Sequence, residues 1–549
     1  KIVFVLIAFF IISLSVFAMY ATHFMKRVSL EEIAPSKEPE KVPAEFYPQK
    51  LPWVMEKGDE EADMYYASSL PRVPELAFKI SISANIGGVL AEALVERDKI
   101  FLADHQGVYA LNREDGSLVW GVEIYSDSIE GRAVSYPQPV SRWRALGLWR
   151  FVEAYGIGKY LYVGTSSTPE DDAYLIAFNK DSGEVVWKIK LESEINASSK
   201  VSVTSNLIVV GGRIFVGSVR DEGYVFCITE DGVLQWRSKV GANVRGLTYG
   251  HDVLYVTSEP STKLYALNPK TGEILWIFEH SSTLGTPIYK KDRVILSDSI
   301  GSILAISWNG TLLWRRFLGV SGDINTNPYA AVDDQYIYAV RGLGEKPLDL
   351  FKLDLNGNIL GNFTIEDNEY GGRPLTSNDI VILPVLYPNK YSKLYFLWRG
   401  LFKLYEFKLE EEIWIPRVSA AYGEIYVVDP TTLYKFIDLS KPVIYSVNAG
   451  LDDGELLINA SVYDRESGLR GVYLVYSFNG LNWSYQPMHI SIRYVMEPIG
   501  GYGFGETPLP YNIRIKVSEE SRKIEFYILA IDNVGNHEAT RVYAYYIHR

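Results

Sequence analysis

The sequence predicts a mainly β chain: an eight-bladed β-propeller, with seven blades as the fallback, followed by a β-sandwich and preceded by one hydrophobic transmembrane helix. Three observations predict it. The chain opens on an uncharged apolar run, a strand–turn–strand unit closing on Trp recurs five times, and a new rhythm of short alternating strands begins after Pro442. The expected boundaries are 1–28 for the helix, 29–74 for a Pro-rich stalk, 75–440 for the propeller and 441–549 for the sandwich. A chain of 549 residues exceeds one ordinary core, since domains settle near ~100–200 residues.

The helix is expected from Ile2 to Tyr20, IVFVLIAFFIISLSVFAMY, with apolar character continuing to Met25. At ~1.5 Å per residue such a run crosses a ~30 Å hydrocarbon core. Residues 2–25 are therefore expected to hold the membrane. Phe17-Ala18-Met19-Tyr20-Ala21 matches a signal-peptidase site poorly, which favours an uncleaved anchor. Lys26 and Arg27 follow the run and Lys1 precedes it, so the positive-inside count leaves orientation open. Five Asn-x-Ser/Thr sites, at Asn196, Asn309, Asn362, Asn459 and Asn482, all lie downstream and fit an exported, glycosylated face. The expected location is the cell membrane, single-pass, with the bulk of the chain extracellular. In pattern, the first 25 or so residues also resemble type IV pilins, which keep their apolar helix after a leader is removed.

From Glu31 to Glu75 seven prolines alternate with charged residues: Pro35, Pro39, Pro43, Pro48, Pro52, Pro71 and Pro74. Extended polyproline II rises ~3.1 Å per residue, so a stalk on the order of 100 Å is expected. Trp53, Met64, Tyr65 and Tyr66 offer the alternative that its second half packs along a domain.

The repeat sets the fold. VYALNREDGSLVW ends at Trp120, YLIAFNKDSGEVVW at Trp187, YVFCITEDGVLQW at Trp236, LYALNPKTGEILW at Trp276 and ILAISWNGTLLW at Trp314. Gly116, Gly183, Gly232, Gly272 and Gly310 stand where such hairpin turns require positive φ. Another strand pair precedes each unit, and four short antiparallel strands per ~40–50 residues mark a propeller blade. These residues resemble the quinoprotein-type, or PQQ-like, β-propeller repeat. Later copies decay, with Gly361 and Tyr405 in the Trp position. An orphan strand at 76–83, LAFKISIS, is expected to complete the last blade and close the ring. The repeated Trp residues are expected to dock neighbouring blades.

After Pro442, about seven alternating strands read as a β-sandwich of immunoglobulin or fibronectin type III kind. Asp464-Arg465-Glu466-Ser467-Gly468 and Asp532-Asn533-Val534-Gly535-Asn536 resemble Ig-like modules of prokaryotic surface proteins. Asp464, Glu466 and Asp532 could gather around Ca²⁺, though turn-forming Asp explains the same letters.

Composition excludes several functions. A net charge of -13 leaves no basic footprint for nucleic acid. The PQQ-like resemblance implies, for its dehydrogenase members, a quinone held under a disulfide of adjacent cysteines beside a calcium ion. With Cys227 the single cysteine, that disulfide cannot exist, and no cofactor is expected. The histidines lack zinc spacing, there is no Gly-x-Ser-x-Gly elbow, and the glycine-rich 500–505 stretch precedes no helix. Only an insertion carrying Arg142, Trp143, Arg144, Trp149 and Arg150 stands out, with residue types enriched at binding hot spots; a buried inner strand is the alternative.

The expectation is a non-catalytic, membrane-anchored extracellular scaffold or adhesion protein that binds protein or glycan partners, alone or in a homo- or hetero-oligomeric surface assembly. The alternative is a subunit or tip component of a pilus-like filament, and a third class is a quinone- or sugar-acting enzyme. Abundant aromatics, charged linkers and scarce Cys are compatible with a hot-environment archaeon.

Overall fold

The repeat of letters becomes a repeat of strand pairing. The computed structural model describes residues 30–33, 43–55, 58–81, 92–103, 107–123, 152–165, 173–191, 201–203, 206–220, 223–259, 262–319, 329–341, 347–366, 370–388, 390–409, 415–429, 431–452, 454–490, 508–517 and 521–547. They belong to two units, Gln49–Asp438 and a second made of Lys1–Pro48 with Leu439–Arg549. Among the described residues no helix is long and apolar enough to cross a membrane, and the helix expected over 1–28 lies outside them.

In the first unit the described strands pair into eight sheets, each built on an antiparallel meander. The first runs Leu94–Glu96, Lys99–Ala103, Gly107–Asn112 and Leu118–Glu123. The innermost strands of the next six are Val152–Ile157, Ile208–Val210, Asn243–Gly250, Ile288–Lys290, Tyr329–Val332 and Leu375–Ser377. The eighth sheet is Arg417–Ala421, Glu424–Val428 and Thr432–Ile437, and its outer strand, Glu75–Ser81, comes from the other end of the unit. Its inner strand lies beside that of the first sheet. Joining the two chain ends in one sheet ties the last sheet to the start of the unit and covers an otherwise bare edge.

One turn shows how the repeat folds. In the Leu264–Trp276 unit, Asn268 Oδ1 accepts the Lys270 amide at 2.9 Å, and the Gly272 amide donates to the Asn268 carbonyl at 2.8 Å. Gly272 has φ 76°, and a Cβ there would come within 2.6 Å of the Trp236 ring. Glycine is thus required twice, for the turn and for the neighbour. The repeated indoles all donate forward into the next sheet. Trp120 Nε1 reaches the Lys180 carbonyl at 2.9 Å, Trp187 that of Glu230 at 3.0 Å and Trp236 that of Pro269 at 3.2 Å. Trp276 reaches Trp308 at 3.2 Å and Trp314 reaches Leu355 at 3.0 Å.

The core is divided accordingly into seams between sheets. Tyr162 and Leu175 of the second sheet pack on Ile214, Val216 and Phe226 of the third, and Val294 and Leu296 of the fifth on Tyr255 and Leu264 of the fourth. Where Gly361 replaces Trp, the next seam uses other means. Arg399 of the seventh sheet pairs with the buried Asp333 at 2.7 Å, and Phe363 packs on Tyr395 with centroids 5.8 Å apart.

The second unit is a two-sheet sandwich. One sheet orders Glu31–Ile33, Val542–Tyr546, Lys523–Asp532, Leu469–Ser477 and Ser484–Pro487, the other Val443–Asp452, Glu455–Tyr463, Leu509–Lys516 and His489–Ile490. Alternate residues Leu456, Ile458, Ala460 and Val462 meet Ile524, Phe526 and Ile528 between them.

The expected stalk over 29–74 is not a free linker where it is described. Glu31–Ile33 adds an edge strand to the sandwich, with Glu31 opposite Ala544, and Phe46 stacks on Tyr473 at 4.4 Å. From Gln49 onward the segment belongs to the propeller unit, which therefore begins well before the expected residue 75. Its apolar residues explain the difference. Trp53, Met55, Met64, Tyr66 and Leu70 are all buried, and burying such side chains stabilises by ~1.5–3 kcal/mol each.

Candidate functional site: the channel and the segment threaded across it

Innermost propeller strands present a backbone edge to the central channel. Val95, Val209, Tyr249, Tyr289, Val332 and Thr376 occupy equivalent register positions, opposite Ile100, Ile214, Leu254, Val294, Ile337 and Val381. At such positions the N–H points away from the partner strand and needs another acceptor.

Residues 51–64 supply one in every sheet. Trp53 exchanges two backbone bonds with Val95, at 2.9 and 2.6 Å, and Ile157 N donates to the Val54 carbonyl at 2.7 Å. Val209 N meets Met55 Sδ at 3.2 Å. Tyr249 N then donates to Glu60 O at 2.8 Å, Tyr289 N to Glu61 O at 3.0 Å, Val332 N to Asp63 O at 2.8 Å and Thr376 N to Met64 O at 3.0 Å. Tyr422 N of the eighth sheet donates to Leu51 O at 2.8 Å, and Tyr65–Tyr66 runs parallel to the seventh sheet's inner strand. Ala62 and Met64 take left-handed φ of 54° and 57°. Such backbone costs ~1 kcal/mol or more per residue and persists where surrounding bonds over-determine it.

An ionic hub sits on this strap. Lys290 Nζ lies 2.7 Å from Glu61, 2.7 Å from the fully buried Asp63 and 3.7 Å from Asp334, with the Tyr65 ring centroid 5.0 Å away. Burial pushes the Lys290 ammonium down, but the Asp63 and Glu61 carboxylates outweigh it and hold it above its ordinary value. Burial, followed by the charges of Glu61 and Glu60, pushes Asp59 up to about 7. Asp59, Glu61 and Asp63 each offer an oxygen within 4.8 Å of the others. The chain's own Lys290 ammonium is the counter-ion of two of them, Glu61 and Asp63. Sequence reading missed this group, because the Asp-Glu-Glu-Ala-Asp run looks like a solvated linker and Lys290-Lys291-Asp292-Arg293 like an exposed turn. The one legible signal was the apolar set Trp53, Met64, Tyr65 and Tyr66 around the acids.

The expected site residues scatter. Arg142, Trp143, Arg144, Trp149, Arg150, Asn196 and the 500–505 stretch lie outside the described residues. Asn309, Asn362 and Asn482 are exposed, whereas Asn459 is half-buried in mid-strand between Asn448 and Asn512. Asp464 accepts the Ser467 and Gly468 amides, and Asp532 those of Val534, Gly535 and Asn536, as turn-forming carboxylates do. Burial, then the charge of Asp464, pushes Asp532 up to about 6. Among the described residues the three-carboxylate group close enough for one ion is Asp59, Glu61 and Asp63; Asp464, Glu466 and Asp532 are not brought together in that way. Cys227 is buried and raised to about 12, chiefly by burial, so its thiol is inert at neutral pH.

The fold and its threaded channel define a β-propeller of PQQ-like repeats. The family described as outer membrane protein assembly factor BamB matches residues 104–247 and 221–397, and the chain belongs to that family. Tetrathionate hydrolase of Acidithiobacillus ferrooxidans is 22% identical over 233 residues, 41% of this chain and 41% of that protein. The match thus spans under half the length of that relative. BamB from Moraxella catarrhalis is 14% identical with a TM-score of 0.38, covering 67% of this chain and 100% of the other. Sqt1 of Saccharomyces cerevisiae is 9% identical with a TM-score of 0.48, covering 67% and 100%. The computationally designed Ika8 protein is 11% identical with a TM-score of 0.47, covering 65% and 98%.

Proposed function

We propose that this chain is a non-catalytic scaffold, held at a membrane with its bulk outside the cell, whose eight sheets are the eight blades of a closed propeller and whose sandwich is an Ig-like module. Protein partners, or glycans, would dock on the loops of both. Membership of a family described as an outer membrane assembly factor supports the protein-binding part of this reading. The observation that carries it is the strap: residues 51–64 take up the channel edge of every sheet, and Glu61 and Asp63 are held by Lys290. A channel so filled at one end serves as a rigid platform. The single cysteine adds that the quinone-holding disulfide of the dehydrogenase resemblance cannot form.

The test is fractionation of the native membrane followed by cross-linking of purified full-length protein to its co-fractionating neighbours. Recovery in a cytosolic fraction, with unmodified sequons, would sink the location. Quinone absorbance, or turnover on oligosaccharides or tetrathionate, would sink the non-catalytic assignment. Presence of the chain in shed filaments would favour the pilus-like alternative instead.

A further inference from the structure

Two hairpin tips stand at the seam of the fourth and fifth sheets, and both carry left-handed backbone without glycine. His251 and Asp252 join Asn243–Gly250 to Val253–Glu259 with φ of 52° and 58°, and Lys291 and Asp292 join Ile288–Lys290 to Arg293–Ser297 with φ of 46° and 63°. The third sheet makes the corresponding turn with Gly211 and Gly212, at φ of 57° and 75°. A turn that glycine forms freely is thus built twice from residues with side chains, at a backbone cost, and strained positions of this kind cluster at binding sites.

The side chains of the two tips meet. His251 Nδ1 lies 3.3 Å from Asp292 Oδ1, and its ring packs on the Trp308 indole with centroids 4.7 Å apart and planes tilted by 33°. Trp308 comes from the turn between Ser302–Ser307 and Leu312–Phe317, and its amide donates to the Asp292 carbonyl at 3.1 Å. The Tyr289 hydroxyl donates to Asp292 Oδ1 at 3.3 Å, and that of Tyr249 to Asp252 Oδ1 at 2.8 Å. His251 therefore joins an indole and a carboxylate into one surface. At 44% exposure Trp308 is the exposed tryptophan among the described ones, and the Asp292 side chain is 71% exposed.

Negative charge is in surplus on this surface. Among the described residues no lysine or arginine pairs with Asp252 or Asp292, and neither Oδ2 accepts a hydrogen bond. The cations nearest in sequence are engaged elsewhere: Lys290 in the hub, Lys291 Nζ on the Asp334 carbonyl and Arg293 Nη1 on the Leu355 carbonyl.

We propose that Trp308, His251, Asp252 and Asp292 form a docking site for an arginine side chain of a partner protein. A guanidinium lies flat on an aromatic face and donates in a fork to carboxylate oxygens, which suits an exposed indole beside unpaired Oδ2 atoms. The same charge repels anionic ligands, and a chain of net charge -13 draws a basic partner from a distance. The site gives a chemistry to the partner of the scaffold and rests on the protein-binding part of that reading.

The experiment titrates the full-length protein by calorimetry with a capped peptide of four Gly-Arg units, with its uncharged citrulline counterpart and with its Gly-Lys counterpart. The Arg peptide should bind, the citrulline peptide about tenfold more weakly or not at all, and the Lys peptide several-fold more weakly. Trp308→Leu leaves the backbone bonds of its turn in place and should weaken the Arg peptide about threefold or more. Asp292→Asn keeps an acceptor for Tyr289 and tolerates left-handed backbone, and should weaken it by a similar factor. The two together should cost about tenfold. Asp115→Asn removes the same charge from an exposed turn of the first sheet and should change affinity by less than about twofold, which separates docking from general attraction to an acidic chain. No binding, equal binding of the citrulline or Lys peptide, unchanged affinity in Trp308→Leu, or as large a loss in Asp115→Asn as in Asp292→Asn overturns the proposal. Binding of maltotriose that Trp308→Leu abolishes, with the Arg peptide inert, also overturns it and assigns the surface to a neutral glycan. If cross-linking recovers protein partners while these titrations show no binding, this site falls and the scaffold reading stands.

Discussion

Replacing Lys290 with Met keeps most of the aliphatic volume and removes the ammonium that lies 2.7 Å from both Glu61 and Asp63. Asp63 has no exposed surface, so water cannot take over as its partner. Stranding a buried charge in this way costs about 3–5 kcal/mol. The loss should appear as local opening of the strap. The Tyr289 and Val332 amides donate to the Glu61 and Asp63 carbonyls and exchange with solvent only when the strap lifts. At 1.4 kcal/mol per factor of ten, their hydrogen exchange should accelerate roughly 100- to 4000-fold in Lys290→Met. Amides inside the fifth sheet, such as Ala305 opposite Ile295, should change far less. Adding Glu61→Gln and Asp63→Asn should recover much of the loss, because the stranded charges go with the cation. Unchanged exchange at Tyr289 and Val332, or equal acceleration throughout the sheet, would refute the reasoning.

Further outcomes follow from the same geometry. Asp59 holds its proton in the folded chain up to about 7, whereas an unfolded Asp releases it near ~4. The folded state therefore binds more protons between those values, and stability should fall as pH rises through that window, by at most about 4 kcal/mol. Asp59→Asn keeps the acceptor for the Glu61 amide and should flatten the pH dependence of strap exchange. Gly272→Ala combines positive φ with a 2.6 Å approach to Trp236, and should lose about 2–4 kcal/mol in denaturant titration. In a Trp236→Ala/Ser238→Gly background, which also removes the Ser238 Oγ that would lie 2.5 Å from the added Cβ, that cost should drop to about 1 kcal/mol, the backbone part alone. Gly211→Ala, with φ 57° and open space around it, should cost about 1 kcal/mol from the start. Deleting Glu75–Ser81 bares the edge of Thr432–Ile437, and light scattering should show self-association that the full chain lacks. A monodisperse deletion variant would argue that another segment covers that edge.

Much of the blade architecture was legible because it is local. A turn such as Asn268 to Gly272 and the alternation on either side of it involve neighbours in sequence, so five copies announced themselves by their letters. The orphan strand near residue 78 could be placed by elimination, since an unpaired strand at one end matches an unpaired edge at the other. The strap reads first as stalk because proline and charge are the ordinary marks of a linker, and only Trp53, Met64, Tyr65 and Tyr66 carry the packed alternative. Its acids differ from solvated ones only through Lys290, more than 220 residues away, as the separations of 229 and 227 show. Another ion pair was invisible for the same reason. Arg373 and Glu92, paired across 281 positions, share no motif and meet only because each stands just before an inner strand.

By itself, then, the sequence determined the repeating unit, the family resemblance and the absence of a cysteine pair, all properties of local pattern and composition. The tertiary structure alone decided that residues 51–64 take up the channel edge of all eight sheets, that Glu31–Ile33 joins the sandwich, and which charges face one another. Local periodicity tells a strand which face to bury. Only the assembled ring sets the backbone edges and side chains of sheets separated by hundreds of residues around one channel, and it is there that their charges acquire partners.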